Sequence, residues 1–142
     1  TKPALAEVMV LTELAGFMQA VGGAFDAHPD DLVAAVRAAA YDVLLAVPGK
    51  PLLQAIVGAS HGAETELLPF LTTQAGGIME LAKAAIRERT TSYGLDMEQA
   101  ERDAALDTIV RLVFSHLMQP GPDPARAADD IAWVAGRMLR FA

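Results

Sequence analysis

An apolar period of three and four residues runs through almost the whole chain and is broken only where proline and glycine fall. Leu5, Val8, Met9, Phe17, Met18 and Val21 recur at that spacing, which puts them on one face of a helix turning about 100° per residue. No alternating stretch of the kind a half-buried strand requires stands out, nor any internal repeat. The pattern predicts an all-α domain, a bundle of about six helices.

Punctuation residues set the expected segments. The first helix is predicted from Pro3 to Val21, ended by Gly22-Gly23. His28-Pro29-Asp30-Asp31 reads as the start of the second, with proline in the first turn and carboxylates at the positive end of the helix dipole. That helix is expected to close at Pro48-Gly49, and a short third one to carry Leu52, Leu53, Ile56 and Val57 as far as Gly58. Between Gly62 and Tyr93, Pro69 and Gly76-Gly77 predict a kinked or broken helix that stops at Gly94. Asp96 and Gln99 have capping-box spacing and predict a helix from Met97 to Met118, ended by Gln119-Pro120-Gly121. Asp123-Pro124 opens a last helix expected to reach the chain end.

Composition narrows the function classes. The 142 residues suit a single domain, 1–142, with 1–95 expected to form a pocket and 96–142 to supply dimerisation helices. Hydrophobic residues make up 53% and aromatics only 6%, so the interior is built from Ala, Leu, Val, Ile and Met, which favours helices. A formal charge of -7 argues against direct contact with a phosphate backbone. There is no cysteine and no asparagine, which excludes disulfides, thiolate metal sites and N-glycosylation and points to the cytoplasm. Glu7, Glu13, Arg37 and Asp42 interrupt the longest apolar stretches, so no membrane span is expected. The sequence opens at Thr1 with neither a methionine nor a leader pattern, and reads as a piece of a longer cytoplasmic protein.

The last two segments ask for more than one contact surface. Ala127, Ile131, Val134, Ala135 and Met138 form a core-facing stripe, whereas Trp133 falls on the other side with Arg126, Asp130, Arg137 and Arg140. Trp and Arg are enriched in interface cores, which makes this group a candidate dimer surface. In the preceding segment Ile109, Val110, Leu112, Val113, Phe114, Leu117 and Met118 wrap more than half the circumference. So wide an apolar arc needs cover on two sides, one of them a second subunit, and this adds Leu112 and His116 to the expected interface.

The run Ile109-Val110-Arg111-Leu112-Val113-Phe114-Ser115-His116-Leu117-Met118, followed by Gln119-Pro120-Gly121-Pro122-Asp123-Pro124 and Ala127-Ala128-Asp129-Asp130-Ile131-Ala132-Trp133, resembles the last two helices of TetR-type bacterial transcriptional regulators. The likeness covers the C-terminal third well and the rest in helix order and lengths. It implies the ligand-binding and dimerising body of a repressor, whose helix-turn-helix would be a separate N-terminal part. No basic segment of that kind is present in these residues, so contact with DNA is expected only through a region outside them.

Pockets form between helices where packing is interrupted, and the interrupted middle segment offers such a place. Candidate ligand-binding residues are Met9, Phe17 and Val21, Tyr41 and Leu44, Leu67, Phe70, Leu71 and Met79, and Val110 and Val113. The expected ligand is small and apolar or amphipathic, with Glu13, Gln19, Arg37, Tyr41 and His116 as polar groups able to orient it. The alternative is a structural helical homodimer without a ligand, and a cavity of about 300–1,000 Å³ would separate the two.

Enzymatic readings are weaker. Gly58-Ala59-Ser60-His61-Gly62 matches G-x-S-x-G, and Asp107 and His116 follow in the order acid then histidine. That motif works on a strand-to-helix turn above a parallel sheet, which nothing here supplies, and Ser60 is better read as a helix cap. His28, His61 and His116 lack metal-ligand spacing, so no metal and no cofactor is expected.

Overall fold

The computed structural model describes residues 2–46 and 68–141, with residues 2, 3, 6, 7, 10 and 68–78 described by backbone alone. Five α-helices account for nearly all of the described chain: α1 (Lys2–Ala27), α2 (Leu32–Ala46), α3 (Leu68–Thr90), α4 (Gln99–Met118) and α5 (Pro124–Met138). A short 3-10 turn, Thr91–Tyr93, follows α3. One isolated antiparallel bridge, Leu95 to Phe141, ties the chain end to the loop before α4. The described part is all-helical, as the periodicity predicts. The segment from Leu52 to Gly58, with Pro48-Gly49 and the G-x-S-x-G motif, lies outside the described residues.

Helix boundaries depart from expectation where packing overrides local propensity. α1 does not stop at Gly22-Gly23 but continues to Ala27. Ala24 and Phe25, the residues just beyond the glycines, are buried in the core, and their burial outweighs the roughly 1 kcal/mol each glycine costs against alanine. Gly22 has a further role. A Cβ there would sit 2.5 Å from the Arg89 guanidinium, so the bare backbone lets Arg89 cross α1 and bond Asp26 at 2.8 Å.

The turn after α1 is pinned from a distance. The Tyr93 hydroxyl lies 3.1 Å from the Phe25 carbonyl oxygen and 2.8 Å from that of His28, carbonyls that also accept the backbone N–H groups of His28 and Asp31. Burial, followed by the charge of Asp26, raises the Tyr93 phenol above its ordinary range and keeps it a donor. α2 begins later than Pro29 suggested, at Leu32, because Asp31 is the capping residue. Its Oδ1 accepts the Ala34 N–H at 3.0 Å.

Of the kinked or broken helix expected here, the break does not occur: α3 runs unbroken through Gly76-Gly77. Pro69 falls in its first turn, where no N–H is needed. Gly94, at φ 64, takes the left-handed position that ends the 3-10 turn. The Asp96/Gln99 capping box does not form: Glu98 is the N-cap of α4 and makes no side-chain cap bond. Asp123 caps α5 as expected, its side chain accepting the Ala125 N–H with Pro124 in the first turn. α5 stops at Met138 instead of reaching the chain end, since Leu139 turns extended and is buried.

α2 is the central element, with its most extensive contacts to α1 on one side and α5 on the other. Leu32, Ala35, Val36, Ala39, Ala40 and Leu44 are its buried positions, facing Ala127, Ala128, Ile131 and Ala135 of α5 and Val21, Ala24 and Phe25 of α1 in one core. Outside that core, α3 is laced to α4 by charge. Lys83 bonds Asp107 at 2.9 Å and Glu80 at 2.6 Å, Arg87 bonds Asp103 at 3.0 Å, and Arg111 reaches Asp107 at 2.7 Å. Arg37 pairs with Asp129 between α2 and α5, and Arg140 with Glu101.

Two predictions follow from this packing. Ile131 is 1% exposed, and Ile131→Ala is expected to lower unfolding stability by about 2–5 kcal/mol in urea titrations. The Lys83 and Arg111 bonds hold the Asp107 carboxyl below its ordinary value, so its contribution is present at neutral pH and lost as pH falls through the depressed value. The urea midpoints of wild type and Asp107→Asn should therefore differ at pH 7 and converge on acidification.

Candidate functional site

The fold leaves a half-open cavity of about 120 Å³ between α1, α2, α3 and α4. Each wall comes from one helical stripe. α1 gives Leu14, Phe17, Met18, Val21 and Phe25; α2 gives Val36, Ala39, Ala40 and Val43; α3 gives Ala82 and Ile86. α4 contributes Leu106, Ile109, Val110, Val113, Phe114 and Leu117. The space exists because alanines at 39, 40 and 82 stand among the large side chains of α1 and α4, so these walls do not meet. Every lining residue among those described is apolar.

Phe17, Val21, Val110 and Val113, named as candidates from sequence, lie together in this wall. Others do not. Met9 is 48% exposed and lies outside the wall. Tyr41 is half-buried beside Arg37, whose guanidinium carbon lies 6.0 Å from the ring centre, and it is not part of the wall. Leu44 is buried in the core away from the lining, and Met79 is half-buried outside it. Leu67 lies outside the described residues, and of Phe70 and Leu71 only the backbone is described.

Sequence reasoning missed Leu14 and Phe25, although both lie on the Phe17–Val21 stripe once α1 is carried through its glycines. Ile109, Phe114 and Leu117 sat in the wide apolar arc of α4 without being assigned to the pocket. Ala39, Ala40 and Ala82 gave no signal, since they shape the cavity by what they lack.

The group expected at a subunit interface is distributed over two helices. Trp133 is 60% exposed on α5 with the Arg137 guanidinium 4.4 Å above its ring, a cation–π contact, and Arg126 and Asp130 are exposed beside them. Leu112 and His116 on α4 are half-buried, Leu112 in contact with the core.

Among the polar candidates, Glu13 stands out. Its Oε2 is buried and has no hydrogen-bond partner among the described residues. Gln19 is exposed, and Arg37 is engaged with Asp129.

Asp107 and His116 cannot form an acid–histidine pair. They lie nine residues apart on α4, about 13 Å along its axis, and Asp107 is bonded to Lys83 and Arg111. No group of three His, Asp or Glu side chains among the described residues is placed to hold a metal ion. No described helix is long and apolar enough to cross a membrane.

Comparison with curated proteins and with solved structures gives no match. A family model does match: the bacterial tetracyclin repressor C-terminal domain, over residues 31–137. That range takes in α2 to α5 and, with them, three of the four cavity walls and the exposed face of α5. Proteins of this family are transcription regulators and not enzymes. With well over half of its length matched, the chain belongs to the family of bacterial tetracycline repressor C-terminal domains.

Proposed function

We propose that this chain is the effector-binding and dimerisation domain of a TetR-like repressor, taking a small apolar or amphipathic molecule whose binding modulates a helix-turn-helix outside these residues. The carbon-lined cavity between α1, α2, α3 and α4 carries the reading. α4 supplies the means of coupling. Its Leu106, Ile109, Val110 and Val113 line the cavity, while Leu112 and His116 of the same helix lie on the side assigned to a second subunit. A ligand that spreads the wall shifts a rigid rod that also sets how two copies meet. It acts only to the extent that it binds one arrangement better than the other.

For dimerisation the support is the exposed Trp133–Arg137 stack on α5, flanked by Arg126 and Asp130. Leaving a tryptophan in water while ordering an arginine over it is a poor use of apolar surface for a monomer and a good anchor for a partner. In this reading two copies join through α4 and α5.

One observation favours the second reading, a helical homodimer without a ligand. At about 120 Å³ the cavity is smaller than the roughly 300–1,000 Å³ of common ligand sites. It is nonetheless close to the roughly 150 Å³ apolar cavity that accepts benzene.

Two measurements decide. In a thermal-shift panel of aryl and alkyl alcohols, at least one compound is expected to raise the melting temperature, with about 2.7 kcal/mol of stabilisation at one hundred times its Kd. Ala39→Leu, which fills the cavity, should abolish the rise; no shift with any compound leaves the ligand-free homodimer. In sedimentation equilibrium the chain is expected to dimerise, and Trp133→Asp to weaken association by about thirtyfold or more. A wild-type monomer at high concentration would remove the dimer from both readings.

A further inference from the structure

We infer that two copies of this chain recognise each other through reciprocal ion pairs, Asp130 of one α5 with Arg137 of the other, set on either side of Trp133. The inference rests on the dimerisation reading proposed above and adds its register and its selectivity.

On α5 the positions Arg126, Asp130, Trp133 and Arg137 follow one another at helical steps, and all four are exposed. At about 100° per residue they fall within about 60° of one another, a single strip on the side away from the buried Ala128, Ile131 and Ala135. Charges close to this strip are already paired, Asp129 with Arg37 and Arg140 with Glu101. Arg126, Asp130 and Arg137 form no ion pair with any described residue. The Arg137 guanidinium lies 4.4 Å above the Trp133 ring, which holds it in place on the strip.

The order of charge says what such a strip fits. Asp130 stands about one turn before Trp133 and Arg137 about one turn after it, at nearly equal distance and with opposite sign. A two-fold axis beside Trp133 makes that order its own complement, because in an antiparallel pair each Asp130 comes opposite the partner's Arg137. Reciprocity of this kind is what an isologous contact requires. The two Arg126 side chains then fall at opposite ends, about 22 Å apart along the axis, well beyond a Debye length. Other registers are worse. A parallel pair in register sets like against like, and an axis about half a turn nearer the start of α5 sets Arg126 against the partner's Arg137. An axis nearer its end leads Asp130 to Arg140, which Glu101 already holds.

Each copy carries a formal charge of -7 and repels the next, so the contact must bring opposite charges together. Arginine and carboxylate pair in bidentate fashion, and a pair shielded by two tryptophans is stronger than one in open water. The consequence is selectivity. Trp133 offers apolar area to any flat surface, whereas the ion pairs accept only a helix with acid and base in the same order about its anchor.

The test uses two variants of the 142-residue chain, Asp130→Arg and Arg137→Glu, in sedimentation equilibrium at pH 7. Each alone sets two like-charge contacts across the axis and is expected to raise the dimer Kd about tenfold or more. Mixed in equal amounts, the two are expected to form a heterodimer of nearly wild-type Kd, since both pairs then join opposite charges. No recovery in the mixture, or single variants that dimerise like the wild type, overturns the pairing and leaves dimerisation through α4 and α5 standing. A wild-type monomer at high concentration overturns both. Should either charge reversal fail to fold, Asp130→Asn and Arg137→Gln carry the test as a double-mutant cycle. A coupling of about threefold or more in Kd supports the pair, and additive effects overturn it.

Discussion

Small side chains on α2 govern the distances between the helices. Ala35 and, across the interface, Ala128 and Ala135 of α5 allow two backbones to approach closely, and all three are fully buried. Close approach gives Leu32 and Ile131 a dense setting, and both are 1% exposed. On the opposite side of α2 the same choice of residue has the reverse effect. There Ala39 and Ala40 look toward α1 and α4, whose phenylalanines, leucines and valines hold the helices apart, and the alanines do not fill the gap. One helix thus tightens one interface and opens the other.

The charged seam between α3 and α4 follows from that opening. Among the described side chains, Ala82 and Ile86 are the contributions of α3 to the cavity wall. Lys83 and Arg87, each one position beyond these two, bond Asp107 and Asp103 on α4. All four side chains keep some contact with solvent, so each pair adds modestly to stability, yet together they fix the register of α3 over the cavity. Such a closure can yield to a guest at lower cost than a packed apolar interface.

Helical class, the start of α5 at Asp123-Pro124 and the two faces of α5 were legible in the sequence because each depends on residues within a turn or two of one another. The end of α1 was not. Gly22-Gly23 is a sound local stop signal, and what overrides it is the burial of Ala24 and Phe25 together with Arg89, which arrives from a helix more than sixty residues away. Gly76-Gly77 is another local break signal, and the helix runs through it. Of the candidate site, large lining residues such as Phe17, Val21, Val110 and Val113 can be named from periodicity. Alanines that make a cavity look identical in sequence to alanines that close one.

Within the proposed function, the placement of α4 bears on how large a response this body can give. Its cavity-facing residues and its half-buried Leu112 and His116 are carried by one continuous helix of 20 residues, with Ile109 and Val110 buried at its middle. A helix of that kind moves as a unit, because bending it would break backbone bonds at several positions at once. A displacement at Val110 or Val113 therefore reaches Leu112 and His116 without attenuation along the axis. α5 resists that movement through its packing on α2 and through Arg37 and Asp129, which pair across it. The ligand's differential binding energy is then opposed by an alanine-rich interface with little slack. Small displacements of α4 consequently favour a change in the angle between two copies over a remodelling of either one.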